Sequence, residues 1–157
     1  MEKLRDPKNG CPWDKEQTME SIIPHSIEEV YEVAEQVYSK NYKKLKEELG
    51  DLLFQVVYLS QIASEKNKFN FDDVVEGIST KMISRHPHVF KDKKFKNMKD
   101  FKLWWEKSKN KKQYSILEDI PFTYPAYLEA NKIQKKVASV GFEYSNDLEA
   151  LDKVYEE

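Results

Sequence analysis

The 157-residue sequence has one cysteine, Cys11, and four glycines. A lone thiol excludes an internal disulfide and is compatible with a reducing compartment. So few glycines leave no glycine-rich phosphate loop, and any phosphate must be held by side chains and a cation rather than by a backbone cradle. No apolar run approaches the length of a membrane span, and the amino terminus is charged from Glu2 onward, unlike a signal peptide. The chain reads as cytoplasmic. No pair of alternating apolar runs flanks a convincing turn, so a β-sheet is not expected. A net charge of −2 provides no global attraction to nucleic acid or membrane.

What is present is the composition of a folded single-domain globule: 39% hydrophobic, 13% aromatic and 34% charged residues. Charge is unevenly placed. From Lys91 to Lys112 ten lysines face Asp92, Asp100 and Glu106, about +7 locally. A solvated lysine-rich face accounts for this run and nucleic acid is not expected as a partner; an adaptor surface for nucleic acid or a partner protein is the alternative.

Helical periodicity dominates the rest, and the expected fold class is all-α. The arm to Trp13 holds Pro7, Gly10 and Pro12 and reads as irregular, with a short helix from Asp14 to about Ile23, interrupted by Pro24. The first long helix is expected to start at Ser26, where Ser26 and Glu29 form a capping-box pattern ahead of an apolar stripe of Ile27, Val30, Tyr31, Ala34, Val37 and Tyr38. Asn41 reads as the cap of a second helix to about Ser64, apolar on most sides and suited to the middle of a bundle. Further helices are expected from Asp72 to Arg85, from Asn97 and Asp100 through Trp104 and Trp105, and from Pro125 to Val140, where Gly141 stops the run.

Two acidic motifs carry the chemistry. Glu28, Glu32 and Glu35 fall within about 60° of one another on the first long helix, with Glu29 on their flank; Glu48, Asp51 and Gln55 form a polar stripe about 60° wide on the otherwise apolar second helix. Carboxylates flanked by Leu52, Leu59 and Ile62 are partly desolvated, and facing carboxylates repel, so the stripe calls for a cation. A magnesium ion fits: it takes oxygen ligands, keeps waters and phosphate oxygens in its shell, and stabilises charge on a phosphoryl group. Manganese shares that preference. Local explanations also exist. Glu29 can serve as the capping-box acid, Glu28 and Glu35 can be solvated, and Glu48 can pair with Lys44.

A di-iron bundle needs Glu-x-x-His pairs, and His25, His86 and His88 are read as lying before a helix or at the end of one. His86 and His88 lack nearby third and fourth zinc ligands. Lys81 and Arg85, one turn apart, can grip a polyphosphate tail or simply be a solvated basic helix end. The arm segment Trp13-Asp14-Lys15 offers an aromatic face for a base with both signs of charge beside it, although a tryptophan in such a turn more often plugs a core.

Taken together, Asn9 to Thr18, Glu28-Glu29 with Glu32, Glu48-Leu49-Gly50-Asp51-Leu52-Leu53, and Arg85-His86-Pro87-His88-Val89-Phe90 resemble the MazG family of nucleoside triphosphate pyrophosphohydrolases. The family hallmark, two glutamates, two spacers and a third, then Glu-x-x-Asp, is matched in full, with 15 residues from Val33 to Glu47 between the halves. The resemblance implies a helical bundle related to dimeric dUTPases, magnesium dependence, hydrolysis of nucleoside triphosphates to monophosphate and pyrophosphate, and assembly into a homodimer or larger oligomer. It implies metal ligation by Glu29, Glu32, Glu48 and Asp51, with Glu28 adjacent and orienting water, and phosphate contacts from Lys81 and Arg85. Ser84 stands where some members carry another arginine. The resemblance also implies a pyrophosphohydrolase domain over residues 1–112, a helical linker over 113–145, and the start of a second copy over 146–157, where Val154-Tyr155-Glu156-Glu157 echoes the first acidic motif. On that reading the chain is the amino-terminal half of a duplicated protein, either the active copy or a non-catalytic nucleotide-binding or dimerisation module.

Overall fold

The computed structural model describes residues 1–109, 115–142 and 146–156, and every regular element among them is a helix. The expected boundary between residues 112 and 113, the last lysines of the basic segment, and Glu157 lie outside the described residues. The described chain divides into two compact units, Met1–Asp92 and Lys93–Glu157.

The first unit contains α1 (Pro12–Glu16), α2 (Met19–Tyr38), α3 (Tyr42–Glu65), α4 (Phe71–Arg85) and the single turn α5 (Pro87–Phe90). The start of α2 departs from expectation. Thr18, not Ser26, is the cap: its hydroxyl accepts from the Ser21 backbone N–H while the Ser21 hydroxyl accepts from the Thr18 N–H. Pro24 therefore lies inside the helix rather than ahead of it, and Ser26 donates its hydroxyl to the Ile22 carbonyl one turn back. An interior proline costs about 3 kcal/mol. Capping by Thr18 contributes about 1 kcal/mol, and burying Ile22, which is 1% exposed, contributes about 2 kcal/mol, which offsets the proline. Thr18→Ala is accordingly expected to destabilise the protein by about 1 kcal/mol in urea unfolding, against a few tenths for Ser26→Ala.

Ile22, Tyr58 and Ile62 form the buried core of this unit, with Met1, Met19 and Leu59 packed around it. Ile22 of α2 meets the far end of α3, whereas Glu29 meets Gln55, nearer its start, so the two helices run antiparallel. A three-residue connection joins them. Lys40 adopts a left-handed conformation (φ 55°), and the Lys40 and Asn41 N–H groups close back onto the carbonyls of Val37 and Gln36. Asn67 (φ 53°) ends α3 in the same way, with Asn67 and Lys68 bonded back to Ser64 and Ala63. Asn41 caps α3 through the Lys44 N–H, and Asn70 caps α4 in a reciprocal box with Asp73.

Neither long helix is fully covered within one chain. On α2 the expected core stripe is open, with Ile27, Val30 and Val37 about half exposed, and on α3 Leu49, Leu53 and Phe54 are exposed too. Within the first unit the helices that pack most on α3 are α2 and, far less, α4, and two helical neighbours leave part of a helix apolar on most sides uncovered.

The second unit contains α6 (Met98–Lys109), α7 (Ala126–Ala138) and α8 (Asp147–Glu156). Asn97 accepts from the Asp100 N–H to open α6, whose Phe101, Trp104 and Trp105 cluster with Phe95. Lys136 ties α7 to the preceding turn through the Ile116 carbonyl and the Asp119 carboxylate.

Candidate functional site

Helix periodicity sets the acidic residues on facing sides of α2 and α3, and the antiparallel pairing brings three of them together. Glu29, Glu48 and Asp51 each offer a carboxylate oxygen within 4.8 Å of the others. Glu29 and Glu48 are half-buried, while Asp51 is exposed. Glu32 lies outside this tight group but close enough for its charge to act on Glu48. Desolvation, then the charges of Glu32, Asp51, Glu29 and Glu47, holds the Glu48 carboxyl above the ordinary carboxylate range. A carboxyl so raised binds its proton more tightly folded than unfolded, so the charged form subtracts stability above that range; the loss is recovered as pH falls through it. An oxygen-only donor set whose own charges oppose one another suits a hard divalent cation.

The arm before α2 is fastened to the far end of α3. The Arg5 guanidinium makes a two-pronged contact with Glu65, with both N···O distances 2.8 Å, and donates to the carbonyls of Asp14 and Gln17. It also lies 5.7 Å from the Tyr58 ring centroid, and the Tyr58 hydroxyl donates to the Asp14 carbonyl at 3.0 Å. Burial first, then Asp14, pushes the Tyr58 hydroxyl up to about 12, so it stays a donor at neutral pH. The Arg5 contact holds the Glu65 carboxyl below its ordinary range, an ion pair that adds stability above that range and loses it in acid.

This fastening sets Trp13, half exposed, edge-on to His25 with ring centroids 6.0 Å apart. His25 Nδ1 in turn lies 3.3 Å from Glu28, an exposed residue. Asp14 is buried, and Lys15 reaches the Pro7 carbonyl at 3.5 Å. Of the basic pair on α4, Lys81 is exposed and Arg85 half-buried. His86 and His88 join no cluster of three metal-capable side chains among the described residues.

His25 corrects the expectation that neither acidic helix carries a histidine. With α2 starting at Met19, His25 lies inside it, in the order His-x-x-Glu rather than the Glu-x-x-His of di-iron bundles. The contacts of Arg5, His25 and Glu65 were not signalled by any local pattern. Gln55 was visible as part of the polar stripe on α3; its partner was not, and that partner is Glu29, whose Oε1 accepts from the Gln55 amide at 3.3 Å.

Comparison with known proteins places this geometry in context. Residues 17–90 match the model of the MazG nucleotide pyrophosphohydrolase domain, a span that holds both acidic motifs and the α4 basic pair. The whole chain is 48% identical to 62% of a nucleoside triphosphate pyrophosphohydrolase from Escherichia coli (strain K12). It is also 42% identical, again over its full length, to 61% of the nucleoside triphosphate pyrophosphohydrolase/pyrophosphatase MazG of Thermotoga maritima. The chain thus spans about three fifths of these relatives' length. A crystal structure of a mazG-related protein from Thermotoga maritima superposes with a TM-score of 0.55 at 25% identity, covering 64% of this chain and 88% of that one. With both acidic motifs inside the matched segment and the identity sustained from end to end, the chain belongs to the MazG family.

Proposed function

We propose that this chain hydrolyses nucleoside triphosphates to the monophosphate and pyrophosphate with the help of a divalent cation, magnesium in the first place and manganese as a substitute. The observation that supports this most is the convergence of Glu29, Glu48 and Asp51 from two separate motifs onto one point between α2 and α3. These three, with Glu32 beside them, would hold the cation. Once bound, such an ion neutralises charge on phosphate oxygens and raises the acidity of water.

The chain's own groups do the rest. Glu28, exposed and steadied by His25, orients a water and accepts its proton as the water oxygen bonds to the α-phosphorus. The bond from that phosphorus to the bridging oxygen breaks, and pyrophosphate departs with the electron pair. Lys81 and Arg85 neutralise the departing charge. Trp13 offers its exposed ring to the base with Lys15 nearby, while buried Asp14 keeps that arm in place. A second copy of the chain would cover the exposed apolar residues of α2 and α3, giving a homodimer or larger assembly. Residues 1–112 would form the hydrolase domain, 113–145 the linker and 146–157 the beginning of a second copy.

Pyrophosphate release from a panel of triphosphates tests the reading. Release is expected with magnesium or manganese and not with chelator, and it should fall as pH drops through the raised range of Glu48, because a protonated carboxyl no longer binds a cation. Triphosphate binding by calorimetry with no release would instead identify a nucleotide-binding module.

A further inference from the structure

Gln55 is the most buried polar side chain facing the acidic cluster. It is 8% exposed, stands one turn beyond Asp51 on α3, and is surrounded by the core-forming segment of that helix. An amide buried this deeply must find a partner, and the one it finds across the helix interface is a carboxylate: Nε2 lies 3.3 Å from Glu29 Oε1. Only the NH₂ end of the amide can face a carboxylate, so the donor is fixed by chemistry.

We propose that Gln55 is a positioning residue for Glu29, holding one of its two carboxylate oxygens so that a cation is met by the other, and that it thereby selects a small octahedral ion over calcium. This rests on the metal-dependent reading above. An ion that takes both oxygens of Glu29 has to share Oε1 with the amide hydrogen. Calcium commonly takes carboxylates through both oxygens and accepts six to eight ligands, whereas magnesium and manganese are satisfied by one oxygen from each carboxylate. The Gln55 amide therefore penalises calcium more than magnesium. It also limits the swing of the Glu29 side chain, as outer partners of metal ligands do, and losing such a partner costs metal affinity about tenfold or more.

The test is binding of manganese, by electron paramagnetic resonance of the free ion, and of calcium, by competition against it, to the 157-residue chain without nucleotide. Gln55→Met keeps the length and removes the donor. It is expected to weaken manganese binding about tenfold and calcium binding less, so that the calcium-to-manganese affinity ratio rises severalfold. Ser60→Ala, which removes a still more deeply buried polar group that bonds within its own helix, should move neither constant. If Gln55→Met does not fold, Gln55→Asn, which withdraws the amide by one methylene, is expected to shift the ratio in the same direction. Unchanged affinities in the folded variant, or an equal loss for both ions, would overturn the role of Gln55 while leaving the metal site standing. No manganese binding by the unaltered chain would overturn the metal-dependent reading and this inference with it.

Discussion

Glu48→Gln is expected to lower pyrophosphate release by at least about a hundredfold, the scale seen when a single group that stabilises transition-state charge is removed. Asp51→Asn should do the same, and both should weaken manganese binding. Glu35→Gln lies on the same acidic face of α2 but outside the cluster of Glu29, Glu48 and Asp51, and should change the rate by less than about twofold. Equal losses in all three variants would refute this ligand set. The Glu48 substitution carries a second, opposite expectation. In the metal-free protein its charge is opposed by desolvation and by Glu32, Asp51, Glu29 and Glu47, so deleting it should raise the thermal midpoint measured in chelator. Saturating magnesium should reverse the order, stabilising the unaltered chain more than the variant. A lost activity accompanied by a gained stability marks a site built for a ligand rather than for the fold.

Tyr58→Ala is the substitution expected to damage the fold most, by about 4 kcal/mol, because it empties a fully buried aromatic site. Tyr58 is where three separate structures meet: it packs with Ile22 and Ile62, stacks edge-on with Phe54 at 5.7 Å, and holds the arm through Asp14 and Arg5. Tyr58→Phe retains the packing and loses one hydrogen bond, for about 1 kcal/mol. Urea unfolding at unchanged slope measures both. The phenylalanine variant should also free Trp13, seen as a faster quenching of its fluorescence by acrylamide, because the hydroxyl is one of the ties between the arm and α3. A similar cost for the two substitutions would show that the hydroxyl, rather than the ring, dominates.

The parts of the fold written in local pattern were legible in the sequence. Asn41 and Asn70 mark the starts of α3 and α4 because a capping side chain must sit within three residues of the amide it satisfies. The polar stripe on α3 was legible for the same kind of reason, since 3.6-residue periodicity assigns residues to faces. The start of α2 was not. Ser26 and Glu29 fit the capping template better than Thr18 and Ser21, and only the burial of Ile22, a tertiary contact, reveals that the helix continues through Pro24. Arg5 and Glu65 are 60 residues apart and obey no period, so their pairing could not be foreseen. The openness of the apolar stripe on α2 belongs to the same class: periodicity says which residues share a face, and not how many neighbours arrive to cover it.

The left-handed turn at Lys40 has one further consequence. Glu32 and Glu48 each lie eight residues from it, Glu29 and Asp51 eleven, and Ile22 and Tyr58 eighteen. The sequence folds at Lys40 like a strip creased at its centre, and residues at equal distance from the crease come level. The stretch between the two acidic motifs is therefore a ruler rather than a spacer. One residue inserted on a single side turns its helix by about 100° and carries its carboxylates off the shared point, whereas a complete pair of turns, about seven residues shared between the two arms, restores the alignment. Natural or engineered changes in its length should be tolerated in that step and in few others.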